Sequence, residues 1–535
     1  MNPILLTDAY KISHPKQYPA GTEYVYSNVT PRKSMVKDID SVVVFGVQYF
    51  IIKYLLDEFN QNFFKRPKQE VTAELKQFFD SYFGPGSVDI SIYEDLWELG
   101  YLPLRIKALP EGTKCPIGVP FMTIENTHPK FYWLTNFIET MSQSVLWNMI
   151  TSATIADRMR RVLENYADET CEDRSFVPFQ GHNFSMRGMS SLESAASTDL
   201  GHLLSFVGSD TLPGNYLASQ YYGGFSGLIS CSVPATEHAV MCAGGKDSEY
   251  DTFKRLITET YPNGIVSIVS DTWDLWKVCT EILPRLKDEI LARDGKVVIR
   301  PDSGIPEHII GGYVCAKTNH DSAFMQARVH SINASLIETG VEVYLCSDGK
   351  YVRMIDGKIL SEPEVKGVVA LLGEVFGYTE NKKGFKELNP KVGVIYGDGI
   401  TYDVANRMLN RLAESGWASN NVVLGIGSFT YQYNTRDTFG IACKATWVQI
   451  NGEGIPCFKD PVTDNGTKKS AVGLLAVVEG DDGKLKCKMD VSRDEEVNGT
   501  LLTTVFEDGY RTMHYSLADI REILRSQSGT TNPSL

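Results

Sequence analysis

The middle of the chain repeats one pattern: an apolar β-branched run, a short turn rich in Asp, Gly or Arg, and then a helical stretch. "GIVSIVSDTWDLWKVC" carries a strand ending at Asp271, and "KVVIRPDSG" one ending at Arg300 and Asp302. "VGVIYGDGIT" ends at Gly397 and Asp398, and "NVVLGIGSFT" at Gly425 and Gly427. Short apolar runs without alternation are strands buried on both faces, the habit of parallel sheets. Between the last two, "YDVANRMLNRLAESGW" sets Val404, Met408, Leu409 and Leu412 on one helical face and stops at Ser415-Gly416. Strands alternating with helices predict an α/β fold, and their number favours an irregular α/β barrel over an open sheet.

In such barrels the loops at the carboxyl ends of the strands build the active site. A single Asp after a strand is most simply a helix cap. Strands ending in Asp, Arg-x-Asp, Gly-Asp-Gly and Gly-x-Gly are harder to read that way. Two earlier segments extend the set: "FQGHNFSMRGMSSLESAA" brings Phe184 and Arg187, and "SFVGSDTLPG" ends a short strand at Asp210. An aromatic face with a carboxylate suits a flat ring bearing an amide. Arginines and glycine turns suit phosphate, and further aspartates suit ribose hydroxyls or magnesium. The implied ligand is a sugar phosphate joined to a heteroaromatic ring.

Composition narrows the alternatives. With 535 residues, 43% hydrophobic and 22% charged, the chain is an ordinary globular sequence, long enough for two or three cores. A net charge of −14, with no basic run, argues against nucleic acid. "MNPILLTDAYKISH" is no signal peptide, and "SVVVFGVQYFIIKYLL" is broken by Gln48 and Lys53 before membrane length. Ten cysteines at irregular spacing, without zinc-type pairs, read as reduced thiols of a cytoplasmic protein. No dinucleotide-binding glycine motif supports hydride transfer. A lone histidine, His238 in "SVPATEHAV", has no decisive signal of its own.

The same segments carry a family resemblance. "LLTDAYKISHPKQYP", "YWLTNFIET", "RGMSSLESA", "GSDT", "SVPATEHAV", "VSDTWD", "IRPDSG", "YGDG" and "FKDPVTD" are similar to motifs of the nicotinamide phosphoribosyltransferases, in the type II phosphoribosyltransferase family. The resemblance implies transfer of phosphoribose from phosphoribosyl pyrophosphate to nicotinamide, with Mg2+, giving nicotinamide mononucleotide and pyrophosphate for NAD salvage. It implies that Phe184 stacks on the pyridine, that Tyr10 of a partner subunit covers the other face, and that Asp210 accepts from the carboxamide. Arg32, Arg187, Arg300 and Arg436 would hold phosphate oxygens, with Asp302 beside Arg300 and Asp8 among the substrate-binding residues. Gly397, Asp398, Gly427 and Ser428 would take the ribose and its phosphate. His238 matches the family's histidine phosphorylated by ATP as co-substrate, and a neutral imidazole is a competent nitrogen nucleophile near pH 7. Asp271, at a nearby strand end, is the expected orienter, with Glu237 the weaker choice. One departure is Ser428, which stands where the family has glycine and requires a negative φ.

The expected layout is a barrel over 151–430, beside an α+β domain built from 1–150 and 431–535, with a frayed tail after about 525. "ACKATWVQINGEGIPCFKDP" reads as strand-turn-strand. An insertion spans about 311–369, and within it "YVRMIDGKIL" reads as a hairpin with an Asp-Gly turn. Tyr10 and Arg436 lie outside the barrel, so a homodimer with shared sites is expected. Two alternatives use the same residues: a nicotinate phosphoribosyltransferase, and a catalytically silent nucleotide binder, against which the intact His238, Arg300 and Asp302 weigh.

Overall fold

The computed structural model describes residues 1–224, 227–331, 340–459 and 471–527. Six parallel strands carry the repeat: β1 Gly181–Asn183, β2 Gly208–Ser209, β3 Asn263–Val269, β4 Asp294–Arg300, β5 Val392–Tyr396 and β6 Val422–Ile426. They are hydrogen-bonded in the order β2-β1-β6-β5-β4-β3. Every residue of β5 is buried, as is nearly all of β6, which accounts for their unbroken apolar runs.

Residues 231–236 join the two edges of this sheet. Gly208 bridges Cys231 and Ala235 bridges Ser267, both in parallel sense. Cys231 N donates to Val207 O at 2.7 Å, and Thr236 N to Ser267 O at 3.0 Å. Pro234 has no N–H for a ladder, so the segment is not a regular strand. Its carbonyl still accepts from Ser267 N at 2.9 Å. The sheet thus curls into an irregular α/β barrel.

The helices that matter to the site are α1 Glu139–Thr170, α2 Leu192–His202, α3 Leu212–Tyr221, α4 His238–Cys242, α5 Tyr402–Glu414 and α6 Ser428–Tyr431. In α5, Met408, Leu409 and Leu412 are buried with Ala405, whereas Val404 is partly covered. The helix stops as expected, at Ser415 with Gly416 at φ 74°.

A second, antiparallel sheet stands beside the barrel. Its strands run in the spatial order Glu453–Pro456, Ile441–Ile450, Thr22–Pro31, Met122–Asn126, Leu104–Ala108, Thr503–Glu507, Tyr510–Arg511. Segments from the two ends of the chain interleave here, with Val25 opposite Val448 and Val29 opposite Cys443. The long helix α1 serves both cores: Met141, Leu146 and Ile150 pack with this sheet, and Ala156, Met159 and Leu163 with the barrel. Residue 150 therefore lies within a continuous helix.

The insertion holds a small four-stranded sheet of Cys315–Lys317, Val343–Leu345, Tyr351–Arg353 and Ile359–Leu360. The expected hairpin is its last pair, turning at Gly357 with φ 73°. Near the C-terminus a helix runs Leu517–Ser526; the tail from 528, and residues 460–464 of "FKDPVTD", lie outside the described residues. Among the described residues no helix is long and apolar enough to cross a membrane. All ten cysteines are free thiols.

His202 ties α2 to two barrel elements behind the strand ends. Its Nε2–H donates to Gly208 O at 3.0 Å, and Nδ1 accepts from the Tyr431 hydroxyl of α6 at 2.7 Å. That pattern requires a neutral ring, and burial pushes its pKa down to about 3. Between the unfolded value of about 6.5 and that point, the unfolded chain takes up a proton that the native ring refuses. This group's support is therefore full above pH 6.5 and declines as the pH falls, by up to ~1.4 kcal/mol per unit. Melting curves at pH 7 and pH 5 check this: the drop in apparent Tm should be smaller for His202→Gln than for the native chain. Equal drops would remove His202 as a source of acid sensitivity.

Candidate active site

Because the strands are parallel, their carboxyl ends share one rim, and the turns there bring polar residues together. None of the four aspartates at these ends caps the following helix. The cap positions are occupied instead by Thr211, Asp274, Ile305 and Thr401. Asp210, Asp271, Asp302 and Asp398 are left to face the rim, and the capping explanation of Asp210 is set aside.

A cavity of about 510 Å³ opens at the rim, lined by Phe184, Arg187, Asp210 and Arg300, with Met186 and Met189 as apolar wall. Phe184 N donates to Ile426 O at 2.9 Å, fixing the end of β1 to β6. The ring lies across bare backbone: a Cβ on Gly425 would come within 2.5 Å of its Cδ2, and one on Gly397 within 3.3 Å. Glycine is required at 425 for this close approach, since even alanine would displace the ring.

Arg300 stands over the same ring, its guanidinium carbon 5.1 Å from the centroid. Asp302 Oδ1 is 3.6 Å from Arg300 Nη2. The Arg300 Nε is buried without a hydrogen-bond partner among the described residues, so the cation retains donor capacity for an anion.

Asp210 is held from both sides. His182 Nε2–H donates to its Oδ1 at 3.0 Å, and the Ser232 hydroxyl donates to the same oxygen. Burial pushes its pKa up, but the His182 and Ser232 hydrogen bonds and the Arg300 charge outweigh this and hold the carboxyl below the usual range. It is an ionised acceptor whose Oδ2 is not engaged by either donor.

His238 opens α4, half exposed, with its Nε2 3.3 Å from Asp271 Oδ1. The Asp271 side chain is only 6% exposed and is fixed, its Oδ2 accepting from Asp302 N at 3.0 Å and Ser303 Oγ at 2.5 Å. The histidine is thereby tied to the turn that carries Asp302. Glu237 is the helix's N-cap residue and makes no side-chain cap bond.

Gly397 and Asp398 follow β5, and Asp398 is exposed. Gly427 precedes α6, and Ser428 opens it in helical conformation with a negative φ, as its backbone role requires. A Cβ on Gly188 would stand 2.2 Å from Ser428 Oγ, so this serine abuts the turn that carries Arg187.

Of the expected residues, Phe184, Arg187, Asp210 and Arg300 line the cavity, whereas His238, Asp271, Asp302, Gly397, Asp398, Gly427 and Ser428 stand on the neighbouring turns without lining it. Asp8, Tyr10, Arg32 and Arg436 do not line it either, and two of them, Asp8 and Arg436, contact the first turn of α1. Asp8 accepts from Thr140 Oγ1 at 2.6 Å, and Arg436 Nη1 donates to Gln143 Oε1 at 3.4 Å. Tyr10, 61% exposed, neighbours Lys11, which pairs with Glu139 at 2.7 Å. Arg32 N donates to Gly440 O at 3.3 Å, next to the Arg436 turn. One chain thus presents two clusters, a cavity at the barrel rim and a cationic-aromatic patch outside it.

Sequence reading missed His182, Ser232 and Ser303. A signal existed for the first, because His182 stands two residues before Phe184, the spacing that puts side chains on one side of an extended segment. Their rings lie 4.8 Å apart.

The chain is similar to known proteins along most of its length. Residues 179–510 match the nicotinate phosphoribosyltransferase (NAPRTase) family, and residues 2–99 match the nicotinamide phosphoribosyltransferase N-terminal domain. Nicotinate-nucleotide pyrophosphorylase from Pyrococcus furiosus shares the fold at TM-score 0.51 and 14% identity, with 98% of this chain and 96% of that one covered. Human nicotinic acid phosphoribosyltransferase does so at TM-score 0.50 and 14% identity, covering 97% and 93%. The nicotinamide phosphoribosyltransferase of Mycoplasma pneumoniae is 33% identical, over 88% of this chain and 94% of its own. That of Acinetobacter baylyi is 44% identical over 98% of both chains. On these matches, and with its glycine-floored aromatic cavity, the chain belongs to the nicotinamide phosphoribosyltransferases, enzymes of the pentosyltransferase class.

Proposed function

We propose that the cavity binds nicotinamide and that the chain joins it to phosphoribose from phosphoribosyl pyrophosphate, releasing nicotinamide mononucleotide and pyrophosphate. The observation that carries this reading is Asp210, an ionised carboxylate whose two donors among the described residues both bind Oδ1 and leave Oδ2, in the same cavity as the Phe184 ring. Such a group accepts from a carboxamide N–H and repels a carboxylate. Phe184 stacks on the pyridine. Arg300 and Arg187 take phosphate oxygens, and Gly397, Asp398, Gly427 and Ser428 the ribose and 5′-phosphate. The transfer itself asks for positioning and charge neutralisation more than for proton transfer.

Magnesium fits the donor chemistry at the rim. Asp302 is a hard oxygen donor beside Arg300, and Asp398 is a second after the adjacent strand β5; among the described residues no cluster of three or more His, Cys, Asp or Glu forms a ready cage. Two carboxylates together with substrate phosphates are the usual environment of this ion. When bound, it neutralises the departing pyrophosphate.

His238 is the acceptor of a phosphoryl group from ATP, oriented by Asp271, and this couples ATP hydrolysis to synthesis. The exposed patch of Asp8, Tyr10, Arg32 and Arg436 completes the site of a second copy in a homodimer. This supplies the other face of the pyridine, which the barrel rim of one chain lacks. Ten free thiols suit the cytoplasm.

Two measurements test the reading. At an effective dielectric near 20, two negative charges ~4 Å apart repel by about 4 kcal/mol, and partial exposure of Asp210 reduces this. The native enzyme should therefore favour nicotinamide over nicotinate by about 100-fold in kcat/KM, and Asp210→Ser should erode that ratio. An unchanged ratio would show that Asp210 is not the selector and would return nicotinate as substrate. Incubation with γ-labelled ATP should put an acid-labile label on the native chain and none on His238→Ala, which should still bind nicotinamide. Labelling that persists in the variant would sink the phosphohistidine.

A further inference from the structure

Behind the cavity lies a carboxyl that the reaction does not touch. Asp199, in α2, is fully buried and lines no part of the cavity. Its Oδ1 accepts from Asn183 Nδ2 and from Ser209 Oγ, each at 2.6 Å. Both donors are local clamps. Asn183 Oδ1 accepts from Ser185 N at 2.9 Å, straddling Phe184. Ser209 Oγ accepts from Thr211 N at 3.0 Å, straddling Asp210. The two strand ends are also joined directly, since Asp210 N donates to Asn183 O at 3.1 Å. On its far side the carboxyl leans on α3 where that helix has no side chain: a Cβ on Gly214 would stand 2.1 Å from Asp199 Oδ2.

We propose that Asp199 is a positioning residue for pyridine selection. One carboxyl oxygen locks the turn around Phe184 to the turn around Asp210, and so sets the spacing between the stacking ring and the amide acceptor. The inference rests on reading Phe184 and Asp210 as the pyridine site. A packing role alone does not account for the pattern, because burying a carboxyl is costly and an apolar side chain would fill the space without that cost. What an apolar side chain cannot supply is a common acceptor for two donors on neighbouring strands. Burial pushes the Asp199 carboxyl up to about 7, with the Asp210 charge acting in the same direction against the Ser209 and Asn183 bonds. Oδ1 remains an acceptor in both protonation states, so the lock does not depend on the charge.

The test is steady-state kinetics on the full chain, with nicotinamide, nicotinate and phosphoribosyl pyrophosphate each varied, beside a melting curve. Asp199→Ala releases both clamps; it should raise the nicotinamide KM about tenfold or more and shrink the nicotinamide-to-nicotinate ratio. The KM for phosphoribosyl pyrophosphate should stay within about twofold. Asp199→Asn keeps an acceptor oxygen and should recover most of the nicotinamide KM and of the ratio. A lower Tm and less active enzyme, with KM and ratio unchanged in Asp199→Ala, would overturn the proposal. If Asp199→Ala does not fold, Ser209→Ala cuts the Asp210 clamp alone and must lower the ratio; an unchanged ratio there is equally fatal. A native chain that makes no nicotinamide mononucleotide would remove the site reading, and the positioning role with it. A native chain that makes it while the variants behave as native would remove the positioning role alone.

Discussion

A ring of parallel strands has all its carboxyl ends on one rim, and closing that ring is the constraint from which the rest of this structure follows. Closure rests on the segment 231–236, which takes hydrogen bonds from both edge elements although Pro234 prevents a regular ladder. The same segment delivers Ser232 to Asp210 and leads directly into α4, where His238 meets Asp271. The stave that closes the barrel therefore also links its two chemical ends. Without it β2 and β3 would be free edges, and the carboxylates at their ends would have no common surface.

Two neighbouring carboxyls, one at the rim and one buried behind it, show how environment divides labour. Asp210 meets a histidine, a hydroxyl and an arginine, and stays ionised. Asp199, fully buried with two neutral donors, is pushed up to about 7. One is fitted to face a ligand and the other to hold a scaffold. Environments that drive like groups apart are a common mark of functional sites.

Much of the barrel was legible in the sequence because strands buried on both faces must be apolar throughout. The runs before Gly397 and Gly425 are strands for that reason; the run before Asp271 is buried only from Val266 onward, and the run before Arg300 has only Val297 and Ile299 buried, so these two are not covered on both faces throughout. The interleaved second sheet was legible in outline, through the turn at Asn451 and Gly452, where both residues have positive φ. What could not be read were pairings set by register and closure. His182 reaches Asp210, 28 positions away, only because β1 and β2 align His182 with Gly208. Asp199 looks like one polar residue on a small-residue helix until its two donors are seen on adjacent strands. The folded sheet within 311–369 was also hidden apart from its hairpin, since its other pairings join segments separated by the sequence. The meeting of Asp8 and Arg436 at the start of α1 depends on the two chain ends joining in one sheet, which no local pattern encodes.

The central claim is that the strand-end cavity between Phe184 and Asp210 is where the pyridine sits, with its phosphoribosyl group toward Arg300. A crystal structure of the full chain with nicotinamide mononucleotide tests it most directly. The account predicts the pyridine stacked on Phe184 over Gly425, the carboxamide nitrogen within hydrogen-bond distance of Asp210, and Tyr10 of the partner subunit on the open face. A pyridine bound elsewhere, or a carboxamide turned away from Asp210, would contradict it.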